Sequence, residues 1–561
     1  MITLNNINLS SIDLSGIDLR GIKLGLGGRG GGSGDGFPQL PGDVTRWHFG
    51  GLTNEMMAAM DDPRIEDADH KGRFLSFKNF AWKEGSGISD VYPGFILGDG
   101  VDDFAVTEKE LNFEDTYTVY TAFIPFQNNP TRNMILCGAD SKKTFSMQYS
   151  SLVYVTFIAG NNYYINANFV NGLNLFACKR NGNNIYIKNL LTNKVVTGTC
   201  GDWVENAGLY YLWKNVTYAS FAKAAIAGQT ICNGYFSTDE DDEKVLDWYK
   251  KQHPWLFPDQ AWTVVGKTNE DEDRATIANI TGNGNNLVLS NFGFAEGSGY
   301  GLYKTPFELY PSVQHSSKYS LSFSKFALGD HNLIIAPKQN DLSYDIKVKV
   351  TGLKDGVKFK WGWIGTTGYI DITTDGIHML NKPASQIRQL LVEFAEDFDP
   401  DHVVTIEQIP EYEGYLVTDG VDDKVESSLF TLNKDWTIVG NWTMLSNIPS
   451  NCGIIKVSSM FLYNSLDGVT IYFAGGPIKI QSKSINAFCS DGRIYLNDWT
   501  EILKPDAQIA SGGSKSSLNI ASYSANFTKM AFKNLAIYDG KNLSKDDCIK
   551  AYNYLQTLKA K

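Results

Sequence analysis

The chain is poor in the residues from which most metal sites and disulfide frameworks are built. Among its 561 residues it has seven cysteines, an odd number, and seven histidines that lie far apart. The cysteines include no Cys-x-x-Cys pair, so they fit neither a disulfide framework nor a zinc site. We therefore predict that the cysteines are reduced residues of the protein core.

Catalytic motifs are missing as well. The sequence contains no His-Glu-x-x-His metal motif, no phosphate-binding loop and no nucleophile elbow. A glycosidase needs two carboxylates about 5–10 Å apart, and no strand carries the Glu-x-Asp-x-x-Glu spacing typical of sandwich glucanases. We predict that the protein is not an enzyme, with a glycan depolymerase as the enzymatic alternative.

Positive charge and long apolar runs are also scarce. The chain carries 50 Lys and Arg residues against 62 Asp and Glu residues, a formal net charge of −12, which disfavours nucleic acid as a partner. No stretch approaches the roughly 18 apolar residues of a membrane helix. The N-terminus, MITLNNINLSSIDLSG, lacks the basic start and apolar run of a signal peptide. We expect synthesis in a cytoplasm and no membrane insertion.

The first 36 residues have a pattern of their own. An Ile-x-Leu triplet recurs every five residues, and a glycine-rich stretch, GLGGRGGGSGDG, follows it. This stretch contains a Gly-x-Gly-x-x-Gly pattern, but more glycine follows it where a nucleotide site needs a helix, so we interpret it as a tether. Four short repeats bury too little surface to be stable alone. We predict that residues 1–36 form an anchor or oligomerisation segment through Ile7, Leu9, Ile12, Leu14, Ile17, Leu19, Ile22 and Leu24.

The rest of the chain contains the same module twice. WHFGGLTNE matches WTVVGKTNE at an offset of 262 − 47 = 215 residues, and FLSFKNFAWKEGSG matches LVLSNFGFAEGSG. DGVDD occurs twice at an offset of 419 − 99 = 320 residues, so an insertion of about 110 residues splits the second copy. The predicted domains are a first module (47–258), the start of a second (259–299), an inserted β-sandwich (300–410) and the rest of the second module (411–561).

The modules are predicted to be mainly β. The chain has 28 Tyr, 31 Phe and 53 Gly residues, which favour strands joined by tight turns. NLFACKRNGNNIYIKN and INAFCSDGRIYLND each suggest two strands around a glycine turn, with Cys178 and Cys489 at equivalent places. Each copy closes with a helix, which we expect to begin with a hydroxyl cap at Ser237 in the first and at Ser544 in the second.

Two sets of residues are candidate binding sites. In KFKWGWIG of the insertion, Phe359, Trp361 and Trp363 alternate onto one strand face, where they could stack on sugar rings or form the sandwich core. The acids of the DGVDD motifs could bind calcium through hard oxygen ligands. The alternative is that they shape a turn and a strand edge. These acids are Asp99, Asp102, Asp103, Asp419, Asp422 and Asp423.

Several segments resemble a known family. The strand that leads into DGVDD, the strand–turn–strand unit and the closing IYDGKNLSKDDCIKAYNYL are similar to laminin-G-like and concanavalin-A-like jelly-roll domains. GKTNEDEDRATIANITGNGNNLVLSNFGFAEGSGYG and VVTIEQIPEYEGYLVTDGVDD resemble virion proteins of Bacteroides-infecting tailed phages, including the crAss-like group. The resemblance covers most of residues 47–561 but not the N-terminal repeats.

The resemblance implies a fold and a function. The fold is two jelly-roll sandwiches, each closed by a helix, with a smaller sandwich between them. The function is a virion part such as a tail fibre, collar spike or head fibre. Such a part is often a homotrimer that contacts other virion proteins through its N-terminus and binds host surface polysaccharide. A capsid decoration protein without an adhesive role and a bacterial surface lectin are the alternatives.

Overall fold

The structure is a computed structural model, and the chain in it divides into two compact units, one ending at Gln252 and one beginning at His253. Each unit is described by itself. The structure describes residues 36–560 except 127–133, 140–145, 150–153, 159–163, 169–171, 203–205, 216–219, 283, 296, 304–314, 318, 325–343, 354–356, 364–369, 383–387, 395–398, 400, 446–452, 458–459, 466–467, 474–475, 481, 483, 504–514 and 524–525. The predicted anchor residues Ile7 to Leu24 therefore lie outside the described residues.

In its described residues the first unit has short antiparallel strands and two helices, α1 (Asn54–Ala58) and α2 (Asp239–Gln252). Its strands are β1 Asp43–His48, β2 Arg64–Glu66, β3 Phe74–Lys78, β4 Gly87–Ile88, β5 Ile96–Leu97, β6 Phe104–Thr107, β7 Leu111–Phe113, β8 Thr116–Pro125, β9 Met134–Ala139, β10 Ser146–Tyr149, β11 Tyr154–Ile158, β12 Tyr164–Asn168, β13 Asn174–Asn181, β14 Asn184–Asn189, β15 Lys194–Thr199, β16 Asn206–Gly208, β17 Tyr210–Leu212, β18 Lys214–Asn215, β19 Ser220–Phe221 and β20 Ala224–Asn233.

Most of these strands form a two-sheet sandwich, while β7 and β16, and β18 and β19, form separate two-stranded sheets. One sheet has the order β15-β14-β13-β8-β20-β5-β4 with β1 also paired to β20, and the other has the order β12-β11-β10-β9-β17-β6-β3-β2. Trp47 and Phe123 from the first sheet share one buried cluster with Leu75, Phe77 and Leu212 from the second. Burial of such large apolar side chains between two sheets is the main source of stability for this architecture.

The second unit has a 3₁₀ helix (Pro254–Leu256), a closing helix α3 (Lys545–Thr557) and many strands. The strands are β21 Gln260–Thr263, β22 Thr276–Ile277, β23 Leu287–Ser290, β24 Gly299–Leu302, β25 His315–Ser317, β26 Ser320–Phe323, β27 Tyr344–Thr351, β28 Val357–Trp363, β29 Ile370–Ile372, β30 Gly376–Lys382, β31 Arg388–Phe394, β32 Val404–Ile409, β33 Glu411–Val417, β34 Lys424–Ser427, β35 Phe430–Thr431, β36 Trp436–Met444, β37 Gly453–Val457, β38 Met460–Ser465, β39 Gly468–Phe473, β40 Gly476–Ile480, β41 Ile485–Cys489, β42 Arg493–Leu496, β43 Glu501–Leu503, β44 Lys515–Ser516, β45 Leu518–Ile520, β46 Ser522–Tyr523, β47 Asn526–Phe527 and β48 Met530–Asp539.

The second unit repeats the sandwich of the first. One sheet has the order β24-β33-β48-β36-β41-β42-β43 with β21 also paired to β48, and the other has the order β22-β23-β34-β45-β37-β38-β39-β40. The strands of the two units correspond one to one in their order within the sheets. For example, β24 takes the place of β4, and β40 takes the place of β12. The matching sequence segments therefore fold to the same topology, which confirms the predicted mainly-β sandwich class.

A further pair of sheets comes from the chain between β24 and β33. Their orders are β25-β26-β32-β27-β30 and β29-β28-β31. The indole of Trp361 on β28 donates to the carbonyl oxygen of Asn381 on β30 at 2.9 Å and so joins the two sheets. β24 and β33 are themselves paired. The chain thus leaves the second sandwich and returns to it at adjacent strands.

The closing helices begin with capping hydrogen bonds. Ser544 caps α3 as predicted, because its hydroxyl accepts the Asp547 N–H at 3.1 Å. The prediction for α2 was wrong by one residue. Thr238 is the cap and accepts the Asp241 N–H at 3.2 Å, while the Asp241 carboxylate accepts the Thr238 N–H at 3.0 Å. The Ser237 hydroxyl instead donates to the Asp242 carboxylate at 3.0 Å.

The predicted equivalence of Cys178 and Cys489 was also wrong by one residue. Strand pairing places Cys178 at the position of Phe488, and Lys179 at the position of Cys489. Cys178 belongs to the core between the sheets. Because successive residues of a strand point to opposite faces, Cys489 lies on the other face of its sheet, where its thiol contacts the Leu543 carbonyl ahead of α3.

Candidate functional site

The two DGVDD motifs form the same hydrogen-bonded turn. In the first, one oxygen of Asp99 accepts the Val101 N–H at 2.7 Å, and Asp103 Oδ2 accepts the Asp99 N–H at 2.9 Å. In the second, Asp419 accepts the Val421 N–H at 2.7 Å, and Asp423 Oδ2 accepts the Asp419 N–H at 2.7 Å. The first aspartate of each motif thus closes a tight turn, and the last one ties the turn to the following strand.

The other repeated motifs meet at this turn. The Asn79 amide donates to the Asp102 carbonyl at 3.0 Å, and Asn291 does the same to Asp422 at 2.9 Å. In the second unit Ser298, from the Glu-Gly-Ser-Gly motif, donates to Asp423 Oδ1 at 2.9 Å. The repetition of these motifs is therefore explained by one shared corner of the sandwich.

The last aspartate of each turn is a perturbed acid. Asp103 and Asp423 are each 1% exposed. Burial raises the pKa of each side chain to about 6, and the neighbouring carboxylates of the same turn act in the same direction. In the first unit the Ser86 hydroxyl lies beside the carboxyl of Asp103, yet Asp103 Oδ1 has no hydrogen-bond partner among the described residues.

A divalent cation fits these turns only in part. The three carboxylates of each motif place one oxygen apiece within 4.8 Å of the others, a spacing that Ca²⁺ can bridge. However, Asp99 and Asp103 already accept backbone N–H groups of the same turn. Calcium needs about six to eight oxygen ligands. The hydrogen bonds account for the motif as a structural turn, and calcium binding there remains a prediction.

The aromatic strand of the insertion is not an open platform. Phe359 is 0% exposed and Trp361 is 1% exposed, so neither ring can stack on a sugar. The carbohydrate hypothesis is wrong for these two residues, and the alternative that they form core holds. The cause is that this face of β28 is covered by the neighbouring sheet, to which Trp361 is hydrogen-bonded. The side chain of Trp363 lies outside the described part of the strand.

A polar cleft opens at one end of the first sandwich. Asp43, Thr45 and Trp47 alternate along β1 and share its inward face, on which Trp47 is fully buried in the core. Nearer the start of β1 the interior opens into a cavity of about 380 Å³. Its walls are Asp43, Thr45, Arg73, Glu110, Leu111, Asn112, Phe113, Ile231 and Asn233. We call this cavity the first-unit cleft.

Hydrogen bonds hold two polar walls of the first-unit cleft in place. Arg73 donates to the Thr45 hydroxyl and forms an ion pair with Asp43. The Asn233 amide donates to the Asn112 carbonyl at 2.9 Å and accepts the Glu114 N–H at 2.7 Å. These side chains are therefore positioned by partners within the fold, as a binding site requires.

The same region of the second unit has different residues. The indole of Trp47 donates to the Arg73 carbonyl at 3.1 Å, and the indole of Trp262 donates to the Asn285 carbonyl at 2.7 Å. Asn285 thus replaces Arg73. Its amide donates to Gln260, the counterpart of Thr45, at 3.2 Å. The ion pair of the first-unit cleft has no counterpart at these two positions.

Sequence reasoning missed this cleft because no motif marks it. Its residues come from four separate segments, near 43–45, 73, 110–113 and 231–233, which strand pairing brings together. One weak signal was available. Asp43 and Arg73 are charged, whereas the second copy has Pro258 and Asn285 at the corresponding positions.

Comparisons with known proteins identify no relative. No family model and no curated protein matches the chain. Among solved structures it has a remote likeness to the Trypanosoma rangeli sialidase, with a TM-score of 0.27, 9% identity and coverage of 37% of this chain and 32% of the sialidase. It has a similar likeness to an arabinofuranosidase complexed with arabinofuranosyl-alpha-1,2-xylobiose, with a TM-score of 0.26, 9% identity and coverage of 38% and 57%.

These likenesses identify neither a family nor an activity. The chain spans about a third of the sialidase and just over half of the arabinofuranosidase. One further finding concerns membranes. Within the part of the chain that the structure describes, no helix is both long enough and apolar enough to cross a bilayer.

Proposed function

We propose that the protein is a non-enzymatic structural protein of a phage virion. It projects from the particle as a fibre or spike and contributes to host attachment by binding cell-surface polysaccharide. Residues 1–36 anchor it to other virion proteins and join its copies into an oligomer, which the family resemblance suggests is a trimer. The projecting part is the tandem array of β-sandwiches.

The observation that carries the proposal is the duplicated sandwich. Both copies have the same strand order, and their repeated motifs build a structural corner in each. Hydrogen-bonded turns and large buried cores make a rigid scaffold, which suits a part that must present a binding surface away from a particle. The resemblance of several segments to virion proteins of Bacteroides-infecting phages supports the same assignment.

The acidic groups of the described residues favour binding over catalysis. The carboxylates that the fold groups most tightly are those of the DGVDD turns, and these accept backbone N–H groups. A glycosidase instead needs one carboxyl group to protonate a leaving group and a second to act as base or nucleophile. The release of reducing ends from host polysaccharide by the purified chain would establish the depolymerase alternative.

Immunogold electron microscopy on particles of the phage that encodes the chain tests the virion assignment. Label at tail fibres or at the collar supports the attachment role. Label over the capsid contradicts attachment and favours a decoration protein or head fibre. Absence of label from every part of the particle contradicts the virion assignment and favours a bacterial surface lectin. The matched control is the same antibody serum after adsorption to the purified chain.

A further inference from the structure

We propose that the first-unit cleft binds a neutral sugar residue of a polysaccharide and that the equivalent region of the second unit does not. The inference rests on the proposed attachment function and names the site and the ligand class for it. Its volume of about 380 Å³ lies within the range of about 300–1,000 Å³ that is usual for small-ligand sites.

The walls of the first-unit cleft offer the groups that sugar hydroxyls need. Glu110 and Asn112 are exposed, and neither side chain has a hydrogen-bond partner among the described residues. A carboxylate accepts two hydroxyl donors, and an amide both donates and accepts. The Arg73 guanidinium has five N–H donors and uses some of them on Thr45 and Asp43. These groups all line the same cavity.

The floor of the first-unit cleft is apolar and rigid. Phe113 and Ile231 are 2% and 3% exposed and belong to the core cluster, while Leu111 is half-buried beside them. Six polar residues line the cleft beside these three apolar ones, so its lining is more polar than that of most small-ligand sites. The C–H face of a sugar ring fits such a base, and its hydroxyls then reach the polar rim.

The charges around the first-unit cleft favour an uncharged ligand. Asp43 forms ion pairs with both Arg73 and Lys71, the latter at 3.0 Å. Lys71 also donates to the Val44 carbonyl at 2.7 Å. Because both cations are engaged by Asp43, Glu110 is the lining charge left without an ion pair among the described residues. A sugar carboxylate would be repelled by Glu110 and would have to compete with Asp43 for the cations, whereas a neutral sugar pays neither cost.

The second unit provides an internal control. Its counterparts of Asp43, Thr45 and Arg73 are Pro258, Gln260 and Asn285, which leave no ion pair at these positions. Gln260 accepts hydrogen bonds from the amides of both Asn279 and Asn285 and is buried. The side-chain amides of Gln260, Asn279 and Asn285 are thus hydrogen-bonded to one another. We therefore predict that the second unit does not bind a sugar here.

Affinity electrophoresis of the full-length chain tests the inference. The gels contain dextran, mannan or a galactan as neutral probes, polygalacturonate as an acidic probe, or the surface polysaccharide extracted from the bacteria that the phage infects. We expect retardation by at least one neutral polymer and none by polygalacturonate. The double variant Glu110→Ala/Asn112→Ala should raise the dissociation constant about tenfold or more, because it removes hydrogen bonds that include one to a charged group.

The matched control is Thr431→Ala, at the position of Asn112 in the second unit, and it should bind as the parent chain does. Glu110 and Asn112 are exposed, so melting temperatures should stay equal. Unchanged binding by the double variant would overturn the cleft assignment and leave the attachment function standing. Preferred retardation by polygalacturonate would overturn the neutral ligand class. Absence of retardation by every polymer would overturn both the inference and the attachment function.

Discussion

Asp103 and Asp423 make the stability of the folded chain depend on pH in the mildly acidic range. Burial raises the pKa of each side chain to about 6, from its usual value of 3.8. Below about pH 4 these carboxyls are protonated in the folded and the unfolded chain alike. Between about pH 4 and pH 6 the folded chain keeps protons that the unfolded chain has lost, so the stability contributed by these groups falls as pH rises. Above about pH 6 the carboxyls are ionised in both states, and the loss of folding stability that comes from burying the two charges is complete.

We therefore expect Asp103→Asn/Asp423→Asn to gain melting temperature relative to the parent chain as pH rises from 4 to 7. Calorimetry of both proteins across this range measures the difference, and a constant difference would contradict the expectation. Addition of calcium is the control, because a bound cation would stabilise the ionised carboxylates of the folded chain and reverse the dependence of melting temperature on pH. A calcium-dependent rise of the parent's melting temperature that is absent from the variant would establish a calcium site.

The two closing helices are attached by different chemistry at equivalent positions. In the first unit Asp242 of α2 forms buried ion pairs with Lys179 at 2.7 Å and with Lys188 at 3.1 Å. In the second unit Cys548 of α3 takes the place of Asp242, and its buried thiol lies beside that of Cys489. One copy of the module thus relies on buried charge where the other relies on two small neutral side chains.

Asp242→Asn should destabilise the first unit by about 3–5 kcal/mol, because it leaves the buried Lys179 without a counter-charge, while Lys188 keeps its ion pair with Asp239. Cys548→Ser is the matched variant and should cost less, about 1–2 kcal/mol, since no charge is left unpaired. Hydrogen-exchange mass spectrometry of the full chain, with peptides from each unit, measures both changes. Equal losses in the two variants would show that the ion pairs contribute little beyond packing.

At the scale of elements, the entry into β4 and β24 depends on a glycine. Gly87 and Gly299 both have φ of +148°, and a Cβ atom at either position would lie 2.4 Å from the side-chain oxygen of Asn54 or Asn269. Those asparagines accept the N–H groups of Ile88 and Tyr300, at 2.7 Å in both cases. The asparagine of the Thr-Asn-Glu motif therefore packs against the last glycine of the Glu-Gly-Ser-Gly motif, where a larger residue would collide with it.

Gly87→Ala should lower the free energy of unfolding of the first unit by about 2–3 kcal/mol, through backbone strain and displacement of Asn54. Gly50→Ala is the control, because Gly50 has open space around its Cβ position and no positive φ. Denaturant titration followed by tryptophan fluorescence measures both variants. A Gly87→Ala chain as stable as the Gly50→Ala chain would contradict this account of the glycine.

At the scale of the whole molecule, each unit has its own core. One core cluster contains Trp47, Phe123 and Leu212, and the other contains Trp262, Trp442 and Phe532. A unit with its own core and its own backbone hydrogen bonds can fold alone. We expect residues 36–252 and residues 253–561, expressed separately, to unfold cooperatively in calorimetry. A fragment that shows no cooperative transition would contradict the independence of that unit.

The sequence by itself determined the mainly-β class, because strand alternation and turn residues are local signals. It also indicated the duplication, since matching segments in one chain need no coordinates to be recognised. The sequence likewise indicated the helix cap at Ser544 and the turn at DGVDD. Both depend on neighbours within a few residues, as the hydrogen bonds of Asp547 and Asp419 show.

Only the tertiary structure decided which faces are covered and which distant residues meet. Phe359 and Trp361 alternate as an exposed sugar platform would, but a neighbouring sheet buries them. The equivalence of Cys178 and Cys489 failed by one residue, and in a strand one residue reverses the face. The first-unit cleft joins Asp43 to Asn233, which lie opposite each other only because β1 pairs with β20. Such pairings are set by the packing of whole sheets, and local sequence does not encode them.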